Sequence, residues 1–425
     1  MIKIIYDVTC ITSFFTKNSS RSGIYFTAKN ILDELIKRDD VQLYLYFSPE
    51  AEIADNYWKL RRELYPNLNY IQEIHEKSLL IKLNKKIWDF HAKIFSHRII
   101  RKIFAVGILI TQHYVRALFK KSCNKDVLRT ANIFFSPIYT TPKFIRENKN
   151  LSVYTILYDT IPVLFPKNHG LDWSASIKKL CESFTSKDYF FSISKQTKND
   201  FKKETPLITD SNTFITPLAA SVDFRQIQNE KKTGFVKQKY GILADKKYIF
   251  SLCTLEPRKN LIRAVKTFID FINKNKIDDY CFVLGGGHWD SFLEELKKYE
   301  VSWNPEQIIR AGYIDDEDLP ILYSNAEWFV YTSQYEGFGL PPLEAMQCGC
   351  PVITSNSSSL PEVVGDAGLM IDWDSDEQHI EAYEKYYFNP LLREENSRKG
   401  LERAKLFSWE KTTDLMVEKM KKTIS

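Results

Sequence analysis

Short apolar runs alternate with longer amphipathic stretches along most of this chain of 425 residues. In the second half the rhythm is regular. Residues 248–252, 281–284, 308–312, 327–332, 351–354 and 368–371 are apolar runs of strand length. Between the first two, Leu261, Val265, Phe268 and Ile272 recur at i, i+4, i+7 and i+11, which lines one face of a helix, with Asn260 placed to cap it. Residues 317–325 and 341–348 read as further helices, the second opened by Pro341-Pro342, where proline loses no hydrogen bond. The first half predicts strands at 2–8, 41–47, 132–135 and 153–157, another near 189–193, and a last one at 214–217. A polar loop over 16–23 precedes a helix over about 24–37. Strands that alternate with helices need right-handed crossovers and form parallel sheets. In such sheets ligands bind beyond the carboxyl ends of the strands, so the residues just after each strand matter most.

Two of these post-strand segments carry chemistry. After 248–252 comes Cys253-Thr254-Leu255-Glu256-Pro257-Arg258-Lys259-Asn260. Two cations beside a helix N-terminus oppose its dipole, and an anion bound there resolves the conflict. Arg258 supplies a forked donor and Lys259 a point charge, a pairing suited to a diphosphate. The plain alternative is a solvent-facing turn. After 327–332 comes Tyr335-Glu336-Gly337-Phe338-Gly339-Leu340-Pro341-Pro342-Leu343-Glu344. The glycines permit close backbone approach, and the two carboxylates can accept hydrogen bonds from hydroxyls. The spacing alone is uninformative, because Glu394 and Glu402 share it in a charged stretch. Position after a buried strand separates the two pairs. Glu344 falls at the start of its helix, where stabilising the helix N-terminus is the competing role.

Composition narrows the classes. The chain is 44% hydrophobic with a net charge of +5, enough apolar material for two domains. No apolar run reaches the ~18 residues that span a bilayer, and the N-terminal segment lacks a signal-peptide core, so a cytoplasmic protein is expected. The seven cysteines and seven histidines show no metal-ligand spacing, which predicts reduced thiols and no protein-bound metal. The charge is uneven: residues 77–125 hold twelve Lys or Arg and one acid, Asp89. Apolar residues such as Ile81, Leu83, Ile87 and Phe90 sit between the cations, a pattern of basic amphipathic helices. Docking on an anionic membrane surface or a lipid-linked substrate is one reading, and a solvated helical subdomain the other. No nucleic-acid motif accompanies the charge.

Taken together, Glu-Pro-Arg-Lys-Asn at 256–260, the two glutamates at 336 and 344, the run 344–353 and Leu-Pro-Glu-Val-Val-Gly-Asp-Ala-Gly at 360–368 resemble the retaining glycosyltransferases of family 4. The resemblance is specific over about 245–372 and thins in the first half. It implies the α/β GT-B fold: two Rossmann-like domains facing each other across a cleft. Residues 1–220 would form the acceptor-binding domain with the basic helical insertion 77–125. Residues 221–405 would form the nucleotide-sugar domain, with the linker around 225–239. A C-terminal helix over 408–422, capped by Ser408, would return to the first domain. The resemblance assigns the donor diphosphate to Arg258 and Lys259 and the ribose hydroxyls to Glu344. Glu336 would contact the donor sugar, with Gly337, Phe338, Gly339 and Leu340 along sugar and phosphate. Thr254 would join the phosphate loop, and Gly312 and Tyr313 would lie by the nucleobase. Tyr158-Asp159-Thr160-Ile161-Pro162 resembles the family's His-Asp-x-x-Pro element beside the reacting sugar, with Tyr158 where a histidine is usual and Asp159 available for positioning or acid–base help. Cys253 stands where many members have glycine. The N-terminal glycine-rich loop is reduced to Gly23 on the acceptor side.

The activity implied is sugar transfer from a nucleoside-diphosphate sugar to a glycan or lipid-linked acceptor, with retention and without a metal, in cell-surface polysaccharide synthesis. The donor is then a co-substrate and no cofactor is needed. The location implied is cytoplasmic, peripheral at the inner membrane face if 77–125 docks there. The rival enzymes are a GT-B sugar phosphorylase or nucleotide-sugar epimerase. From another class, the rival is a non-catalytic sugar-binding partner subunit.

Overall fold

The computed structural model describes residues 1–15, 23–48, 54–74, 78–93, 98–287, 292–301 and 304–424. Of the predicted loop over 16–23, all but Gly23, which opens helix Gly23–Ile36, lies outside these residues. Two parallel sheets organise the chain. The first contains β1 (Ile2–Asp7), β2 (Val41–Tyr46), β3 (Asn69–Tyr70), β4 (Ile133–Ser136), β5 (Ser152–Leu157), β6 (Tyr189–Ser192) and β7 (Thr213–Ile215), in the order β3-β2-β1-β4-β5-β6-β7. The second contains β8 (Lys247–Leu252), β9 (Tyr280–Gly285), β10 (Ile308–Gly312), β11 (Phe329–Tyr331), β12 (Val352–Ser355) and β13 (Gly368–Ile371), in the order β10-β9-β8-β11-β12-β13. In both, the first strand of the domain lies inside the sheet and the order reverses beside it, the switch point at which doubly wound folds bind ligands. Strands buried on both faces read as continuous apolar runs, which is why most were visible in the sequence. β3, with two residues, was not.

Helix Leu261–Asn275 buries Leu261, Val265, Phe268 and Ile272 as their spacing requires. Asn260 does not cap it. That residue is left-handed (φ 57°), and its side-chain amide donates to the carbonyls of Thr332 (3.2 Å) and Trp373 (2.6 Å), tying the turn to two other loops. The stretch around 225–239 carries a helix of its own. Helix Glu230–Lys239 packs on helix Leu319–Asn325, and Lys239 Nζ reaches Asp315 and Asp318.

Helix Trp409–Ile424 lies along helix Gly23–Ile36 of the first domain and buries Trp409, Met416, Val417 and Met420. Ser408 Oγ accepts from the Lys411 N–H at 3.2 Å, Thr412 Oγ1 donates to the Pro217 carbonyl at 2.6 Å, and Lys421 Nζ pairs with Asp40 at 2.6 Å. Helices Leu79–Lys93 and Arg98–Lys121 form an antiparallel hairpin, in which Asn84 Nδ2 donates to Thr111 Oγ1 at 2.7 Å and Ile87 meets Gly107. Among the described residues no helix is long and apolar enough to cross a membrane.

Candidate active site

The loops after β8 and β11 meet over a buried ion cluster. Pro257–Lys259 forms a single 3-10 turn, and both of its cations point at the loop after β11. Lys259 Nζ lies 2.7 Å from Glu336 Oε1 and donates to the Tyr331 hydroxyl at 2.7 Å; that hydroxyl donates to Glu336 Oε1 at 3.0 Å. Arg258 Nη1 is 3.0 Å from the same oxygen and also donates to the Tyr335 carbonyl, while Nη2 reaches Glu256 at 3.3 Å. Arg258 is only 5% exposed and Glu336 8%. Burial alone pulls the Lys259 ammonium pKa down, but Glu336 beside it more than compensates and the net is raised. Burial pushes Glu336 up, and Lys259 with Arg258 draws it below its usual value. All three groups are therefore charged, fixed and shielded from water. Arg258 Nε has no hydrogen-bond partner.

Serines after β12 hold the loop that carries Glu336. Ser357 Oγ donates to the Gln334 carbonyl at 2.6 Å, and Ser359 Oγ to the carbonyls of Glu336 (2.9 Å) and Phe338 (2.7 Å). The Glu336 N–H donates to Ser358 Oγ at 2.8 Å. Gly339 turns the chain at φ 124°, where a Cβ would sit 2.8 Å from Leu360. Helix Leu340–Gln347 follows, with Glu344 one turn inside it rather than in its first turn. So Glu344 does not serve its own helix N-terminus. It is half-buried, accepts from the Tyr323 hydroxyl at 3.1 Å, and burial raises its carboxyl pKa to about 7.

The first domain closes on this loop. A Cβ on Gly337 would stand 2.8 Å from Asp159 Cβ and 3.0 Å from the Tyr158 carbonyl, so this glycine is needed for the approach. Ser194 Oγ and Thr197 Oγ1 donate to the Gly337 carbonyl at 2.7 and 3.1 Å. The Glu362 carboxylate accepts from the N–H groups of Lys195 (2.7 Å) and Gln196 (2.9 Å), at the N-terminus of helix Lys195–Glu204. The Tyr335 hydroxyl binds Gln196 at 2.7 Å and Asp200. Gly23 faces Leu340 across the same cleft, 3.9 Å from a notional Cβ.

The family described as Glycosyl transferases group 1 matches residues 233–403. The O-antigen chain mannosyltransferase B of Escherichia coli is 36% identical over 283 residues, which cover 65% of this chain and 72% of that one. The chain belongs to the group 1 glycosyl transferases. A second relative, the serotype-specific mannosyltransferase WbdA of Escherichia coli, is 29% identical over 64% of this chain, but the match spans only 34% of that longer protein. Among solved structures, Anabaena Alr3699/HepE in complex with UDP and glucose aligns with a TM-score of 0.61 at 14% identity over 99% of this chain and 100% of that one. WaaG, a glycosyltransferase involved in lipopolysaccharide biosynthesis, aligns at 0.58 and 14% identity over 97% of each. At that identity these two establish the GT-B fold alone.

In this group 1 glycosyl transferase the structure brings together part of the set singled out by sequence. Arg258, Lys259, Glu336, Gly337, Phe338, Gly339 and Leu340 are contiguous in space, and Asp159 and Tyr158 meet them from the other domain. Thr254 turns aside to Glu256 at 2.7 Å. Gly312 ends β10 at φ 69°, and Tyr313 beyond it is 77% exposed. The Gly286 conformation (φ 129°) puts a notional Cβ 1.9 Å from the Cys253 carbonyl, so the loops after β8 and β9 are in tight contact. Tyr158 buries its hydroxyl without a hydrogen-bond partner, near Cys10. Tyr331 and Ser359 were not read from the sequence. Tyr331 sits inside an apolar strand and passes for core. Ser359 follows β12, where attention to post-strand residues would have found it.

Among the described residues no group of three His, Cys, Asp or Glu side chains could hold a metal ion. All seven cysteines are buried free thiols.

Proposed function

We propose that this chain is a retaining, metal-independent glycosyltransferase of family 4 that moves a sugar from a nucleoside diphosphate to a growing surface polysaccharide. The buried Arg258–Lys259–Glu336 cluster carries the reading. In an oxocarbenium-like transition state negative charge grows on the departing diphosphate. Cations already desolvated and aimed need no reorganisation to meet it, which is worth several kcal/mol. In the resting molecule Glu336 occupies them, and the donor exchanges that partner for its own phosphates. Arg258 Nε, buried without a partner, is a further donor for the phosphates. Glu336 then contacts the sugar, Glu344 accepts from the ribose hydroxyls, and the amides of 337–340 follow the sugar and phosphate. Gly312 and Tyr313 border the base. Asp159, brought against Gly337, positions the reacting sugar from the acceptor side. The likeness to mannosyltransferases makes mannose the first donor sugar to test. Transfer on the face from which the diphosphate leaves, with a phosphate oxygen taking the acceptor proton, requires no carboxylate nucleophile.

The basic hairpin is read as docking on an anionic membrane. It leaves Leu79, Leu83, Val106, Leu109 and Ile110 exposed, Leu109 at 68%, beside Lys82, Lys85 and Lys86. An amphipathic surface of that kind binds anionic lipid, and it puts the enzyme at the inner membrane face.

A panel of nucleoside-diphosphate sugars, including mannose donors, tests the donor reading by thermal shift, since a ligand of the folded state raises its melting point. Turnover of the donor that binds, with the product anomer assigned by NMR, tests retention. An inverted product, or full transfer by Lys259→Ala, would overturn the reading.

A further inference from the structure

A second basic site lies outside the donor cluster, in the first domain. A cavity of about 600 Å³ opens beyond the carboxyl ends of β2 and β4. His113, Arg116 and Lys120 of helix Arg98–Lys121 form one wall, and Lys143 and Lys179 stand across it. No carboxylate lies within ion-pair distance of Lys120, Lys143 or Lys179 among the described residues, whereas Lys198, Lys202, Lys399 and Lys422 each hold one. The Thr141 hydroxyl, on a side chain only 7% exposed, also lines the cavity and has no hydrogen-bond partner. A buried hydroxyl left unsatisfied costs free energy unless a ligand completes it, and the three lysines, with no carboxylate among them, attract an anion. The ligand they specify is a compact polyanion with several acceptor oxygens.

We propose that this cavity binds the diphosphate of a lipid-linked acceptor. The inference rests on the acceptor-side reading of the first domain. Helix Arg98–Lys121 supports the choice of lipid. Its exposed apolar residues run through Leu109 and Ile110 to Tyr114, and Lys120 lies six positions beyond Tyr114, about 9 Å along the axis. A hairpin seated on the bilayer by Leu109 and Ile110 therefore carries the cavity within reach of the headgroup layer. The carboxyl end of the sheet directs the attached glycan toward the cleft.

Inorganic pyrophosphate is the first probe, titrated calorimetrically into the full-length protein. Two sites are expected. Lys120→Ala/Lys143→Ala/Lys179→Ala should abolish one and leave the other, and Lys259→Ala should do the converse. Thr141→Val, which keeps the side-chain shape and every charge, should weaken the cavity site about fivefold to tenfold by removing one hydrogen bond. If the triple variant retains both sites, the cavity proposal is wrong. If Lys259→Ala retains both while the triple variant loses one, the donor reading fails and this one stands. Vesicles separate the sources of phosphate. The wild type should prefer phosphatidylcholine vesicles doped with polyprenyl diphosphate over ones doped to equal charge with phosphatidylglycerol, and the triple variant should lose that preference. Equal binding to both by the wild type would assign the lysines to general attraction and overturn the proposal.

Discussion

The two domains handle positive charge in opposite ways. In the second, Arg258 and Lys259 are stripped of water and locked onto Glu336 by bonds of 2.7 to 3.0 Å. In the first, Lys120 and Lys143 are exposed or half-exposed around an open cavity, with no carboxylate paired to them among the described residues. A desolvated charge acts strongly over short range and needs exact placement by its neighbours; a solvated one acts weakly, tolerates imprecision and is screened by salt. The first arrangement suits charge that develops during a reaction, and the second suits capture of a charge already present on a ligand.

The sharpest way to break the contrast is to delete one charge from each region. Lys259→Ala should lower the turnover of a donor found by the screen about 10²- to 10³-fold, as removal of a preorganised transition-state donor does. Glu336→Ala leaves two buried cations without their partner and should cost about 3–5 kcal/mol of stability in denaturant unfolding. The lysine-to-alanine changes in the first-domain cavity should shift stability by no more than about 0.5 kcal/mol. Equal stability losses in the two regions would erase the distinction.

Glu344 offers a subtler test, because it is a half-buried acid with no cation paired to it among the described residues. Its pKa of about 7 lies above the usual 4.5. A raised pKa means that the folded state holds the proton more tightly than the unfolded chain. The resulting stability is fully present below about pH 4.5 and is lost as pH rises through about 7, a gap on the order of 3 kcal/mol. Glu344→Gln should therefore flatten the stability profile over that window. Ribose hydroxyls favour the ionised carboxylate, so donor binding near pH 6.5 should release a proton, visible as buffer-dependent heat in calorimetry. Binding heats independent of the buffer would remove Glu344 from the ribose site.

Much of the second domain could be read from the chain because its information is local. Strands β8, β9, β11 and β12 are buried on both faces over most of their length, and Arg258, Lys259 and Glu336 follow strand ends within about seven residues, with Glu344 on the helix that comes next. What escaped was relational. Tyr331 looks like any buried aromatic until Lys259 and Glu336 are seen on either side of its hydroxyl. Asn260 has the composition of a cap, yet two carbonyls from distant loops claim its amide and the backbone turns left-handed. In the first domain the basic helices showed in their periodicity. The cavity did not, because Lys179 and Lys143 join Lys120 only through the packing of three separate elements.

The contact between the domains sets the smallest effect. Glu362 crosses from the second domain to cap helix Lys195–Glu204, accepting two backbone N–H groups where the helix dipole favours negative charge. Glu362→Gln keeps one acceptor oxygen and removes the charge, a loss of about 0.5–1 kcal/mol. Ser194 and Thr197 still hold the Gly337 carbonyl, so the domains should not separate outright. The open population should rise about twofold to fivefold, read as a larger radius of gyration by solution scattering. Because closure brings Asp159 to the Glu336 loop, turnover should fall only by the fraction of molecules lost from the closed form, while the donor, held by second-domain residues, binds as before. A variant that weakened donor binding and spared turnover would mean that this cap shapes the donor site and does not govern closure.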